Sequence, residues 1–405
     1  MSRTLRTKWV EGQLPNPGEP FALGEASAGA LNQGGCAAVI SNTVRRARDV
    51  YLTLKPCIGG LADDDPPELD LSHSRLSYKK RQRRERHSLV RFGNPGRQVQ
   101  VGVDKAALVR RPRRAVLVST QIFEQSLALD FDLTVSDLAP VDLLLQRSGR
   151  LQRHQRARTE GLPAPTRWIG HPELDSSEFR FFPGGDEFVY EPHVLLRSWL
   201  ALRGSDQIRI PEEVEELVES IYDDRACPAD LALALRYRWL ATKSKLLEQT
   251  ESDRDEAQDR WLKRPDFKGD LCRIAANPFA EDAPKFHKAH QALTRLAEPT
   301  VEVVSVCGSA ERPTLDPLGR EPLDLKTDPA VLQARRLLMR SASIASKSVV
   351  FALLDQPEPA SWRRSPLPRR HRLLEFDQDG LALVGKNCLR LDEEAGLVVA
   401  GKPGR

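Results

Sequence analysis

Over the first 160 residues, short apolar runs alternate with stretches of helical spacing. In GGCAAVISNTVRRARDVYLTL an apolar run over 36–40 stops at the polar pair Ser41 and Asn42, and helical spacing then continues from Val44 to Leu54. That order predicts a buried strand feeding a helix. LDLSHSRLSYKKRQRRERHSLVRFG follows, an extended piece ending at His73 and then a strongly basic helix. AVLVST and LTVSDLAP predict two further strands. Strands alternating with helices imply a parallel sheet wrapped by helices. The working loops of such a sheet lie at the carboxyl ends of its strands, where Asn42, Thr120 and Asp137 fall.

From Gly161 to Phe182 the pattern lapses into a Pro-rich, irregular connection. EPHVLLRSWLALRG and PEEVEELVESIYDD predict two helices, the second with Pro211 in a first turn that tolerates it. A long helix is expected at about 230–264, where acidic and basic side chains balance as a solvated, self-paired surface. Beyond it, TVEVVSVCG predicts a strand, DPAVLQARRLLMRSASI an amphipathic helix and SVVFALL another strand. The end of the chain predicts a meander with turns at Asp379-Gly380 and Ala395-Gly396. The expected fold class is α/β, divided into segments 1–160, 161–297 and 298–405, without internal repeats.

Composition narrows this picture only modestly. A chain of 405 residues with 40% hydrophobic and 29% charged positions has room for two or three packed domains. The net charge of +4 permits an anionic partner without demanding one. No apolar run reaches the length of a membrane span, and MSRTLRTKWVEG lacks a signal core, so a cytoplasmic protein is expected. The six cysteines form no C-x-x-C pair and the eight histidines show no ligand spacing. Reduced thiols and no metal site are expected.

The candidate chemistry lies in VLVSTQIFEQSLALDFD and, shortly after it, QRSGRLQRH. A nucleotide-hydrolysing motor must neutralise charge spreading over phosphoryl oxygens, which planar, permanently charged guanidinium groups do best. Arg147, Arg150 and Arg153 recur every third residue, a spacing expected at the start of a helix. Arg150 and Arg153 would then project from one side into a crevice beside Thr120, with Gly149 allowing close backbone approach. In isolation such a triplet reads as a solvated basic face; the strand and loop before it argue for function. Thr120, Gln121, Glu124 and Ser126 can contact backbone phosphates and couple them to a nucleotide site. In GLALVGKN, Gly380, Gly385 and Lys386 imitate a phosphate-binding loop, but LALV reads as a strand and Asn387 replaces the hydroxyl residue. Two basic tracts, 79–86 and 110–114, suit either phosphate contact or a solvated surface.

Together these segments resemble motifs five and six of superfamily two helicases. Within that group the chain is similar to the helicase-nuclease of type I CRISPR systems, where T-Q-x-x-E-Q-S-L-D-x-D-F-D precedes D-L-A-P-x-D-x-x-x-Q-R-x-G-R-x-x-R. Agreement extends through GGCAAVISNTV, VYEPHVLLRSWLALRG, HQALTRLAEPTVEVV and SWRRSPLPRRHRLLEFD, nearly the whole chain. The resemblance implies a RecA-like parallel-sheet lobe, a helical linker and a small α+β C-terminal domain that closes over the path of single-stranded DNA. It implies that Arg150 and Arg153 are arginine fingers, that Gln146 and Gly149 lie beside the nucleotide, and that Arg147 bridges the helix to the site. Asn42, Thr43, Thr120, Gln121, Glu124 and Ser126, with His73 and Arg75, become the nucleic-acid contacts. ATP with magnesium is the implied cofactor, and single-stranded DNA and the CRISPR surveillance complex are implied partners.

The chain also departs from the family pattern. Ala128 stands where the pattern has Asp, removing a charge-assisted hydrogen bond worth roughly 1.5 to 3 kcal/mol. Gln152 stands where His is common. No His-Asp dipeptide and no true phosphate-binding loop occur in these residues. The expectation is a chain inactive as an ATPase alone, whose cleft a separate first-lobe and nuclease polypeptide would complete. The alternatives are a degenerate remnant and a non-catalytic module that binds single-stranded DNA or the surveillance complex.

Overall fold

The computed structural model describes residues 2–10, 29–58, 68–102, 104–124, 128–172, 189–259, 300–309, 312–316, 319–365 and 367–399. Two compact units result, one formed by Met1–Arg225 with Pro299–Arg405 and the other by Ala226–Glu298.

In chain order the first unit begins with β1 (Arg3–Val10), β2 (Gly35–Ile40), α1 (Val44–Ile58), β3 (Leu69–Ser72) and α2 (Tyr78–Phe92). A small hairpin, β4 (Gln98–Gly102) and β5 (Lys105–Leu108), precedes β6 (Arg114–Ser119), a 3-10 turn at Gln121–Glu124, β7 (Leu133–Ser136) and α3 (Val141–Ser148). Then come β8 (Thr166–Gly170), α4 (Pro192–Leu202), β9 (Gln207–Ile210) and α5 (Val214–Tyr222). The strands form one seven-stranded sheet in the order β3-β6-β2-β7-β8-β1-β9. Every neighbour pair in it is parallel except β1 with β9. β2 is buried along its whole length, as a strand covered on both faces must be. Its alternating side chains feed two cores. Ala37 and Val39 pack with Val50 and Leu54 of α1, while Cys36, Ala38 and Ile40 pack with Phe92 and Phe131.

The α/β class and the strands at β2, β3, β6 and β7 match expectation. The sheet also takes in β8, from the stretch expected to be irregular, and β9, both beyond residue 160. Pro163 and Pro165 end just before Thr166, so they do not interrupt the pairing of β8 with β1 and β7.

The remainder of this unit comprises β10 (Val301–Ser309), β11 (Arg312–Thr314), α7 (Val331–Met339), β12 (Ser341–Ile344), α8 (Lys347–Leu354), β13 (Arg372–Phe376), β14 (Leu381–Val384), β15 (Asn387–Asp392) and β16 (Gly396–Val399). β10 to β13 form one sheet, and β14-β15-β16 form a separate antiparallel meander. The expected meander therefore loses its first strand: β13 pairs in parallel with β10, and the Asp379-Gly380 turn joins two sheets rather than closing a hairpin. SVVFALL is a helix rather than a strand. It buries Val349, Val350 and Leu353 while Phe351 stays exposed, the one-sided spacing of α8. SASI leaves the predicted helix to pair with β10 as β12.

The second unit's described part centres on a 27-residue helix, α6 (Leu233–Asp259), which exposes Leu233, Tyr237, Leu240 and Leu247. Among the described residues no helix is long and apolar enough to cross a membrane, and no group of His, Cys, Asp or Glu could hold a metal ion. The described cysteines are unpaired thiols; Cys36 is buried, and burial pushes its pKa up to about 11.

Candidate functional site

At the carboxyl ends of β2, β6 and β7, register brings Ile40, Ser119 and Ser136 level, so that Asn42, Thr120 and Asp137 emerge together. Asp137 organises this end. Its carboxylate accepts from the Asn42 backbone N–H at 2.9 Å and from Arg46 of α1 at 2.9 Å. Burial raises the Asp137 pKa, against the opposing pull of Arg46, the Asn42 N–H and Arg147. Asn42 Nδ2 donates to Leu138 O at 2.7 Å, and Gln121 Nε2 donates to Asn42 O at 2.8 Å, tying the loop after β6 to the loop after β2. Thr43 Oγ1 accepts from Arg46 N at 3.2 Å and so caps α1. Arg147, almost wholly buried, reaches Ser136 Oγ at 2.7 Å and Tyr190 Oη at 3.0 Å. It bridges α3 to this strand end. Thr120 is buried, Gln121 partly so; the side chain of Glu124 and all of Ser126 lie outside the described residues.

Arg150 and Arg153 stand elsewhere. α3 ends at Ser148, so Arg147 lies in its last turn and the other two follow it, rather than sharing a helix start. Gly149 caps α3 in the right-handed conformation at φ −60°, its N–H donating to Leu145 O at 2.9 Å. The chain then runs back to the start of β7. Phe131 N donates to Arg150 O at 2.9 Å, Gln152 N to Phe131 O at 2.8 Å, and Arg153 N to Asp130 Oδ1 at 2.7 Å. Because Phe131 precedes β7 while Thr120 follows the parallel β6, the two arginines sit at the amino end of the sheet, away from Thr120. Arg3 holds the same turn by donating to Ser148 O at 3.0 Å and Leu151 O at 2.9 Å. Gln146, Gly149 and Arg153 are exposed and Arg150 is partly buried. Burial, then the neighbouring charge of Arg153, lowers the Arg150 pKa.

Beneath this segment lies a buried ionic network. Asp130 and Asp132 are almost fully enclosed and take Arg156 at 2.7 and 2.5 Å, Arg158 at 3.2 and 2.9 Å, and Arg111 at 3.9 and 3.0 Å. Burial alone would raise the Asp132 pKa. Arg111, the Cys36 N–H, Arg158 and Arg156 outweigh it and hold the carboxyl below the usual range. The acids were visible in the sequence as DFD; their three arginines come from two segments on either side of it, Arg111 before and Arg156 with Arg158 after, which hid the pairing.

His73 and Arg75 lie in the turn between β3 and α2. His73 is fully buried, and burial, then Arg75 and Arg84, lower its pKa to about 3. In this arrangement its imidazole is enclosed rather than offered to a strand. Arg75 instead lines a cavity of about 700 Å³ between this turn and the C-terminal sheets. Lys80, Arg312 and Arg340 share the lining, as do the acids Asp377, Asp379, Asp392 and Glu393. Two of these acids are engaged in turns, Asp377 with Leu381 N at 2.8 Å and Asp392 with Ala395 N at 2.8 Å. No hydrogen bond or ion pair occupies the Arg75 or Arg340 guanidinium among the described residues, and burial lowers the Arg75 pKa.

The basic tracts divide in the same way. Along α2, Lys79, Arg83 and Arg86 are exposed, whereas Arg84 meets Asp70 at 3.6 Å. Arg111 belongs to the Asp130 network and Arg114 pairs with Glu68 at 2.6 Å, so half of the second tract is structural. GLALVGKN is β14 and the tight turn into β15, with Gly385 in the left-handed region at φ 58°, and it is not a phosphate cradle.

Two family descriptions match this chain: "CRISPR-associated nuclease/helicase Cas3, C-terminal" over residues 33–156 and "Cas3 C-terminal domain" over 295–397. The CRISPR-associated endonuclease/helicase Cas3 of Thermus thermophilus is 33% identical over 404 residues, covering 90% of this chain and 42% of the relative. A crystal structure described as a CRISPR-associated protein superposes with TM-score 0.85 at 43% identity, covering 99% of this chain and 41% of the other. T. fusca Cas3 with AMPPNP gives TM-score 0.76 at 28% identity, covering 98% and 42%. A chain in a pre-nicking CRISPR RNA-guided surveillance complex gives 0.69 at 27%, covering 98% and 44%. The chain thus spans less than half the length of these relatives, and it belongs to the Cas3 family, matching the C-terminal half of its members.

Proposed function

We propose that this chain is the second motor lobe and C-terminal unit of a Cas3-type, ATP-driven DNA helicase of CRISPR defence, working in the cytoplasm. Three of its expected partners lie outside these 405 residues: a first lobe with its nuclease, single-stranded DNA and the surveillance complex. The cavity beside Arg75 carries the reading. Two guanidinium groups, Arg75 and Arg340, line it without carboxylate partners among the described residues, which suits a phosphate backbone read without sequence preference.

The residues present fit one side of a nucleotide site. Gln146, Arg150 and Arg153 offer polar and cationic groups on an accessible segment, held by Arg3, Phe131 and Asp130. No phosphate-binding loop occurs among the described residues. ATP with magnesium, when gripped by a first lobe, would supply the hydrolysable phosphoanhydride. This chain's part is to hold guanidinium groups against its developing charge. Arg147, bonded to Ser136 and close to the buried Asp137, links that segment to the loops that face DNA. Alone, the chain does not turn over ATP.

Mixing the purified chain with a Cas3 first-lobe polypeptide, ATP, magnesium and single-stranded DNA tests this. DNA-stimulated phosphate release is expected, falling on the order of 10³-fold or more in Arg150→Ala. Ala128, exposed where the family pattern has Asp, favours a second reading, a non-catalytic DNA-binding module. Binding without turnover, even after Ala128→Asp, would establish that module instead.

A further inference from the structure

We infer that the C-terminal meander is a positioning element for Arg75, fixing the backbone of the β3–α2 turn so that its guanidinium stands ready for a DNA phosphate. The inference rests on the reading of the cavity as a strand path. Arg75 O accepts from Leu397 N of β16 at 3.0 Å, and the adjacent Ser74 O accepts from Ser343 N of β12 at 3.4 Å. Gly396, with φ 66°, lies directly against this turn: a Cβ there would stand 2.5 Å from Arg75 O and 3.0 Å from Leu76 Cα. Only glycine permits both the left-handed backbone and that approach.

The hairpin that carries Gly396 is itself fastened to the lobe. Lys80 Nζ donates to Glu393 O, Arg84 to Glu394 O at 2.9 Å, and Lys55 to the Glu394 carboxylate at 2.8 Å. Ala395 and Val398 are buried in the lobe's own core beside Tyr51 and Leu54. A side chain left open while its backbone is anchored from two strands is the signature of a preorganised contact, because the ordering cost is met before the ligand arrives.

Binding of a fluorescein-labelled, mixed-sequence single-stranded oligonucleotide to the full chain, followed by anisotropy over a salt series, tests the inference. Arg75→Ala is expected to weaken binding roughly ten-fold and to flatten the salt slope by about 0.7, the loss of one phosphate contact. Gly396→Ala should reproduce both changes, and the double variant should be no worse than either single one. Val398→Ala, which loosens the hairpin without adding bulk, should give a smaller loss in the same sense if Gly396→Ala fails to fold. A folded Gly396→Ala or Val398→Ala with native affinity and slope overturns the inference while leaving the cavity reading intact, and so do losses that multiply in the double variant. An Arg75→Ala chain that binds normally overturns the cavity reading and the inference together.

Discussion

The two ends of the parallel sheet enclose their acids in different company. At the amino end, Asp130 and Asp132 face Arg111, Arg156 and Arg158, and the charge balance holds the Asp132 carboxyl below the usual carboxylate range. At the carboxyl end, Asp137 is as deeply buried, yet Arg46, the Asn42 amide and Arg147 do not offset its desolvation. The first arrangement is a fixed ionic clamp under the segment bearing Arg150 and Arg153. The second is a less evenly matched junction where loops from β2, β6 and β7 meet. Both ends desolvate their acids, and at the amino end three guanidinium groups are set against that cost.

The most direct way to break this contrast is Asp132→Ala. Three arginines and the Cys36 amide lose an acceptor, and unfolding in urea should show a loss of about 3 to 5 kcal/mol. Asp137→Asn keeps an acceptor for Asn42 N–H and removes a charge already disfavoured, so under about 2 kcal/mol should be lost. Acid titrations of stability sharpen the difference through its sign. Folded Asp132 loses its proton more readily than the unfolded chain does, so its contribution disappears as pH falls below about 4. Folded Asp137 keeps its proton longer, so its effect runs the other way: stability falls as pH rises from about 4 to its folded value.

His73 adds a pH window of its own. The unfolded chain takes up a proton near pH 6.5 that the buried imidazole refuses down to about 3, so stability should fall on acidification between those values. The slope attributable to this one group is about 1.4 kcal/mol per pH unit, and His73→Leu should remove it from the urea-unfolding series. Arg153→Ala should change stability by no more than about 0.5 kcal/mol, since its side chain is exposed and its backbone supplies the bond to Asp130.

Much of the lobe was legible because its central strands are buried on both faces and read as continuous apolar runs; Cys36 to Ile40 and Ala115 to Ser119 are of this kind. β8 escaped notice because Pro163 and Pro165 dominate its approach, although they precede the paired residues. In α8, Val349 and Val350 suggest a strand, and only their common burial with Leu353 shows the helical face. The residues expected at the carboxyl strand ends do converge, since strand register alone brings Asn42, Thr120 and Asp137 level. The path of the chain after α3 was not legible. It depends on Arg3 and Asp130, both more than 20 residues away in sequence from the turns they hold. The cavity likewise needs β16 to meet the β3–α2 turn across a separation that periodicity does not reveal.

The central claim is that one end of the sheet serves DNA while the other serves the nucleotide. The DNA-concentration dependence of phosphate release, measured with a first lobe supplied, tests it most directly. Arg75→Ala should raise the half-saturating DNA concentration roughly ten-fold and reach the native plateau, whereas Arg153→Ala should lower the plateau on the order of 10³-fold at every DNA concentration. An Arg153→Ala chain that regains native turnover once enough DNA is added would contradict the account.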